Sequence, residues 1–287
     1  MWAATRQPTS SGESRPADPG WRDYAGAGRQ RGRGRELRYG SRDFRAASNF
    51  AQRVTHSRPV SAVIGSVLRD PALIRAFVAV WRLPVIKLRV RRADADAWSG
   101  TVFGSTLISG RRAQAVLELP TVEENYLAGR PKQALRTNLR HARELGVTSS
   151  RIPTYEAWFA AAKVIMRARR DGAAAARDID TPGPGQHMAY YVARDADETP
   201  LAFARAALFG QFAVLFTMLS DQDRYPGASW ARYQLHTFLA LDLGCSGVRH
   251  LLVGSALREP AGNQYFQHLL GYRARNLRVE VVEPGAG

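Results

Sequence analysis

The stretch Phe212-Ala-Val-Leu-Phe-Thr-Met-Leu-Ser220 decides the fold. It is apolar at almost every position. That predicts a strand covered on both faces, in the middle of a sheet. Two more strands precede it closely, Met188–Arg194 and Leu201–Phe209. The turn-rich Asp195-Ala-Asp-Glu-Thr-Pro200 joins those two, and Gly210 makes a tight hairpin into the third, read over 211–220. Three strands so connected form an antiparallel meander.

After Ser220 the rhythm changes. A loop, Asp221-Gln-Asp-Arg-Tyr-Pro-Gly-Ala-Ser229, leads into a helix from Trp230 to Leu243. Ala231, Leu235, Phe238 and Leu239 give that helix a core stripe, and Gly244 and Gly247 end it. Val248–Val253 then reads as a strand, Asn263–Leu270 as a short helix and Asn276–Glu283 as a last strand. The expected class is α/β (α+β): a mixed sheet in which an antiparallel meander is followed by strand–helix–strand–helix–strand.

Working upstream, Tyr155–Arg170 predicts a helix with Trp158, Phe159, Ala162, Ile165 and Met166 inward. A Gly/Pro/Asp-rich loop over 171–186 separates it from the meander. Pro131 opens a helix that runs to Leu145 and ends at Gly146. Leu135, Leu139 and Ala142 mark its buried stripe. Lys132, Arg136, Arg140 and Arg143 share a second face, and like charges so spaced oppose one another. Such a stripe suits either an anion site or a solvated face. Val85–Val90, Thr101–Ile108 and Ala113–Leu119 are strand candidates, and Val60–Trp81 is helical with Pro71 near its middle.

Residues 1–58 differ from everything that follows. They hold 12 arginines against 5 acidic residues, and include Gly-Arg-Gln-Arg-Gly-Arg-Gly-Arg over 28–35. Such a segment buries too little surface to offset its ordering entropy. The expected organisation is therefore a disordered Arg/Gly-rich arm over 1–58 and one domain over 59–287. Within that domain, 60–150 is the N-terminal part and 151–287 the core.

Composition removes several classes. The 287 residues are 45% hydrophobic, enough for a core. One cysteine, Cys245, makes no intrachain disulfide. No apolar run is long enough for a membrane span, and no signal core opens the chain, so the cytoplasm is the expected location. His and Cys spacing gives no zinc motif, so no metal is expected. There is no Walker loop, no dinucleotide fingerprint and no nucleophile elbow. The net charge of +16 favours anionic partners.

The order of elements resembles the GNAT acyltransferase fold over about residues 110–283. In that superfamily the loop after the central strand reads roughly Arg/Gln-x-x-Gly-x-Gly/Ala and wraps the pyrophosphate of acyl-coenzyme A. Here that place holds Arg224-Tyr-Pro-Gly227-Ala228-Ser229. Glycine lets backbone approach phosphate, and helix N-terminal N–H groups bind anions. Two further stretches resemble the Fem-type, peptidoglycan-bridge-related branch. They are Leu119-Pro-Thr-Val-Glu-Glu-Asn-Tyr-Leu127 with the basic helix 136–143, and Gly262-Asn-Gln-Tyr-Phe-Gln-His-Leu-Leu-Gly-Tyr272. Only one GNAT-like unit is present, where Fem-type enzymes usually hold two.

The resemblance implies acyl-coenzyme A as co-substrate and an amine of a small molecule or peptide as acceptor. It implies acyl-coenzyme A contacts at Met218, Leu219, Arg224, Gly227, Ala228, Ser229 and Asn263. Acyl transfer needs a base for the amine, a polarised carbonyl and a proton for the leaving thiolate. Asp221 and Asp223 are the nearest carboxylates to the central strand, with loop solvation as their plain alternative. Gln267 stands where the family's late helix carries a tyrosine, so Tyr265 is the nearest candidate acid. Two other readings stay open. One is a Fem-type aminoacyl-tRNA-dependent transferase, binding tRNA through Lys132, Arg136, Arg140 and Arg143. The other is an inactive GNAT-like binding domain. An open split beside strand 212–220 separates the catalytic readings from the inactive one.

Overall fold

The apolar central strand pairs on one side with its hairpin partner and on the other with the strand that follows the next helix. In the computed structural model, residues 41–54, 71–91, 112–169, 188–221, 227–257 and 259–282 are described, all in one unit, Gly34–Gly287. The elements in chain order are α1 Arg42–Val54, α2 Pro71–Trp81, β1 Val85–Arg91, β2 Arg112–Glu118 and α3 Glu123–Leu127. A 3-10 turn, Arg130–Lys132, opens α4 Gln133–Glu144. Next come β3 Thr148–Ile152, α5 Tyr155–Ala168, β4 Met188–Arg194, β5 Pro200–Phe209 and β6 Phe212–Ser220. Last are α6 Ala228–Cys245, β7 His250–Ser255, α7 Ala261–Leu270 and β8 Arg273–Val282.

The strands make one eight-stranded mixed sheet, in the order β1-β8-β2-β7-β6-β5-β4-β3. From β3 to β6 the neighbours are antiparallel, the expected meander extended by one strand. Gly210 turns the β5–β6 hairpin with φ at +60°, open to glycine without strain. β7 lies parallel to β6, as a helical crossover requires.

β2 departs from a serial arrangement. It is inserted between β7 and β8, antiparallel to both. β1 lies outermost, parallel to β8. The expected N-terminal part and core therefore share one sheet.

Two layers cover it. On one face α6 and α4 pack over a core holding Leu135, Leu139, Leu235, Leu239 and Leu243. The helix α6 comes so near the chain at Pro120 that a Cβ on Gly244 would overlap the Pro120 carbonyl. On the other face α5 seats Trp158 against Phe203. The Trp158 Nε1–H donates to the Ala204 carbonyl at 3.0 Å.

The sequence expectation needs two corrections. The helix α1 falls inside the stretch expected to be disordered. Phe44 and Ala47, three residues apart, enter the main core, and Ser48 Oγ donates to the Leu257 carbonyl at 2.8 Å. The strand β3 was not expected at all. Residues 1–40, the predicted strand over 101–108 and the loop over 171–186 lie outside the described residues.

Candidate functional site

The sheet parts where β6 stops pairing with β7. Their register runs only from Phe212↔His250 to Leu215↔Val253. Beyond that β6 stays with β5, while β7 stays with β2. The cause is local. The β5–β6 register jumps from Ala206↔Leu215 to Arg205↔Thr217, which leaves Phe216 as an extra residue on β6. A bulge of this kind bends its strand and raises the local twist, here rotating the end of β6 away from β7. Residues Phe216 to Leu219 remain only partly buried.

Backbone direction follows from one bond. Asp221 N–H donates to the Leu201 carbonyl at 3.0 Å, toward β5. N–H groups alternate along a strand, so Leu219 N–H also faces β5, while Met218 N–H faces the parting. The two positions expected to act together thus split, and Met218 alone offers its donor to the opening.

The helix α6 starts beside the end of β6. Gly227 is its N-cap, and no side chain caps it. Gly227 and Ala228 are buried, and a Cβ on Gly227 would lie 2.9 Å from Leu145 Cδ1. Ser229 is half-buried in the first turn. The first N–H groups of an uncapped helix point outward with a partial positive charge.

Two arginines that sequence reasoning missed lie within electrostatic reach of each other here. Arg169, at the end of α5, donates from Nη1 to the Ser220 carbonyl at 2.8 Å. Arg232, in the second turn of α6, lies with its guanidinium 4.5 Å from the Phe266 ring centre, and its Nε is buried without a partner. Burial pulls the Arg232 guanidinium below its ordinary range; the nearby Tyr233 opposes that and Arg169 adds to it. Only their separation of 63 positions in sequence hid the pair.

Asp221 is 2% exposed, and among the described residues its Oδ1 has no hydrogen-bond partner. Tyr265 is half-buried on α7, close enough to Tyr233 to influence it electrostatically. Asn263 does not join the group. It is exposed, and its Nδ2 donates to Glu259 Oε2 at 3.0 Å. Gln267, where the family's tyrosine would stand, is buried. Asp223 and Arg224 lie outside the described residues.

The basic stripe has protein partners at every position. Lys132 Nζ donates to the Leu270 carbonyl at 2.6 Å, closing the C-terminus of α7. Its ammonium sits 4.2 Å from the Tyr126 ring centre, and burial, with Arg273 nearby, lowers its pKa to about 8. Arg136 Nη1 donates to the carbonyls of Leu127 and Gly129. Arg143 bonds Glu123 at 2.6 Å, and Arg140 lies 3.6 Å from Glu144. Arg136, Arg140 and Arg143 are nonetheless exposed.

A meander, a parted pair of parallel strands and a helix starting at the parting define the architecture. The fold is GNAT-like. No protein-family model and no curated protein matches the chain. Solved structures do. The chain is similar to L-PGS from Bacillus licheniformis at 11% identity and TM-score 0.41, covering 65% of this chain and 64% of that one. It is similar to FemX at 11% identity and TM-score 0.46, covering 57% and 59%. A GCN5-related N-acetyltransferase from Kribbella flavida matches at 17% identity and TM-score 0.31, covering 60% and 56%. The chain thus spans about six-tenths of each of these chains. Among the described residues no helix is long and apolar enough to cross a membrane, and no His, Cys, Asp and Glu group is arranged to hold a metal.

Proposed function

We propose that the chain is an N-acyltransferase that moves an acyl group from acyl-coenzyme A to the amine of a small molecule or peptide. One observation carries the reading. A helix whose N-cap makes no side-chain cap bond follows the end of β6, where Arg169 holds the Ser220 carbonyl, within electrostatic reach of Arg232 in the second turn of that helix. Helix N–H groups and guanidinium forks together suit a diphosphate. With the diphosphate at 227–229, the acyl arm would lie along the parting. The thioester carbonyl would then meet Met218 N–H, a donor for the oxygen as charge develops on it.

Asp221 takes the role of base. It receives the proton of the acceptor amine, directly or through water. The amine nitrogen forms a bond to the carbonyl carbon, the carbon–sulfur bond breaks, and the thiolate leaves. Tyr265 is our assigned donor of the thiolate's proton. The aminoacyl-tRNA reading ranks second because all four side chains of the stripe already have protein partners. The buried, unpartnered oxygen of Asp221 weighs against an inactive domain, because such a group costs stability without a compensating structural bond.

Calorimetric titration with acetyl-coenzyme A tests the reading. The expected result is micromolar binding, weakened at least about tenfold by Arg232→Gln. Gly227→Glu should abolish it by placing a carboxylate at the diphosphate. A folded wild-type protein that binds no acetyl-, succinyl- or long-chain acyl-coenzyme A overturns the proposal.

A further inference from the structure

The outer edge of the sheet carries a surface that acyl transfer does not use. On α2, Ile74, Val78 and Trp81 are 38%, 37% and 41% exposed, and Val85, at the start of β1, is 50% exposed. Ile74, Val78 and Trp81 are spaced four and three residues apart, so they share one side of the helix. A single exposed apolar residue needs no explanation, but a group of four does.

The surroundings are basic. Between Pro71 and Arg91 there is no Asp or Glu, while Arg75, Arg82, Lys87, Arg89 and Arg91 are all exposed. Among the described residues the acid beside this strand is Glu280 on β8, 3.6 Å from Lys87 and 3.7 Å from Arg278. Strand alternation gathers these groups on one side. Ile86, Leu88 and Val90 turn into one core layer, so Val85, Lys87, Arg89 and Arg91 project from the other face. Ala79 and Val80 of α2 pack against the core on that other face. The helix and the wet side of β1 therefore lie on the same side of the sheet, at its outermost strand.

We propose that the α2–β1 face docks on an anionic lipid surface. Trp81 and the aliphatic side chains enter the headgroup boundary, and the arginines bind lipid phosphates. Charge complementarity selects this occupant. A nucleic acid would use the arginines but leave the aliphatic Ile74, Val78 and Val85 in water.

The test is co-sedimentation of the full chain with phosphatidylcholine vesicles, with and without phosphatidylglycerol. Binding is expected only with phosphatidylglycerol. Ile74→Ser combined with Trp81→Ser should weaken it at least about tenfold, measured below the melting temperature of the variant, which falls because both side chains are also partly buried. Arg82→Gln or Arg89→Gln should each weaken it about fivefold. Failure to bind anionic vesicles overturns the proposal. So does binding that ignores the apolar pair, which would assign the attraction to charge alone, the arginine-rich N-terminal segment included.

Discussion

Replacing Asp221 by Asn should stabilise the protein while disabling it. The structure sets the size of both effects. The side chain is 2% exposed and, among the described residues, Oδ1 has no hydrogen-bond partner. A buried polar group without a partner costs about 1–3 kcal/mol, and more when charged. Asn keeps the shape and removes the charge, so at least part of that cost is relieved. For a folded unit of this size, about 1 kcal/mol moves the melting temperature by roughly 2–4 °C. A rise of a few degrees is expected in thermal denaturation of the full chain. Activity should move the other way. Loss of a general base lowers kcat by about 10²–10⁴-fold, read as thiol release from acyl-coenzyme A in the presence of an acceptor amine. The two readouts together are diagnostic. A melting temperature that falls would mean that Oδ1 has a structural partner. A more stable variant with undiminished turnover would remove Asp221 from the chemistry.

Three other substitutions probe the frame. Gly244→Ala should cost about 1–3 kcal/mol or more in chemical denaturation, because its methyl meets the backbone carbonyl of Pro120 rather than a side chain that can turn away. His236, fully buried with Nε2 2.8 Å from Tyr272 Oη, has its pKa lowered by burial to about 3. The unfolded chain takes up that proton near pH 6.5 and the folded chain does not. Stability should therefore fall as pH drops from about 6.5 toward 3, by up to about 1.4 kcal/mol per unit, and His236→Phe should flatten that limb in pH-resolved melts. Arg143→Ala breaks the bond to Glu123, yet both side chains are exposed. The loss should stay below about 1 kcal/mol and shrink further in high salt.

The strongly patterned elements were legible because burial on one face writes a period into the chain. The meander, α6 with its core stripe, and α4 with Leu135, Leu139 and Ala142 all stand within a few residues of their expected bounds. The strand β3 was not legible. Its five residues, Thr-Ser-Ser-Arg-Ile, lie at the sheet edge and alternate in neither polarity nor burial. The helix α1 hid in arginine-rich surroundings, with Phe44 and Ala47 as its buried apolar anchors among the described residues.

What depends on distant residues was also invisible. The basic stripe reads as self-opposing until Leu269 and Leu270 bring their carbonyls to Lys132 from across the fold. The insertion of β2 between β7 and β8 leaves no local trace. At the candidate site, the position of the parting followed from the central strand. The bulge at Phe216, the electrostatic proximity of Arg169 to Arg232 and the burial of Asp221 required three dimensions.

The outermost strand has a consequence for how the chain is made. Among the described residues β1 finds its sheet partner only in β8, with Val85 opposite Asn276. On the ribosome, which makes the chain from its N-terminus, β1 emerges well before β8, with six other strands of the sheet made in between. Meanwhile Ile86, Leu88 and Val90 have no layer to enter, and the strand's backbone is an open template. The meander can form from neighbouring segments, but the far edge of the sheet closes last and over the longest loop. The basic residues that alternate along β1 then act as gatekeepers, keeping one nascent chain from pairing with the next until β8 arrives.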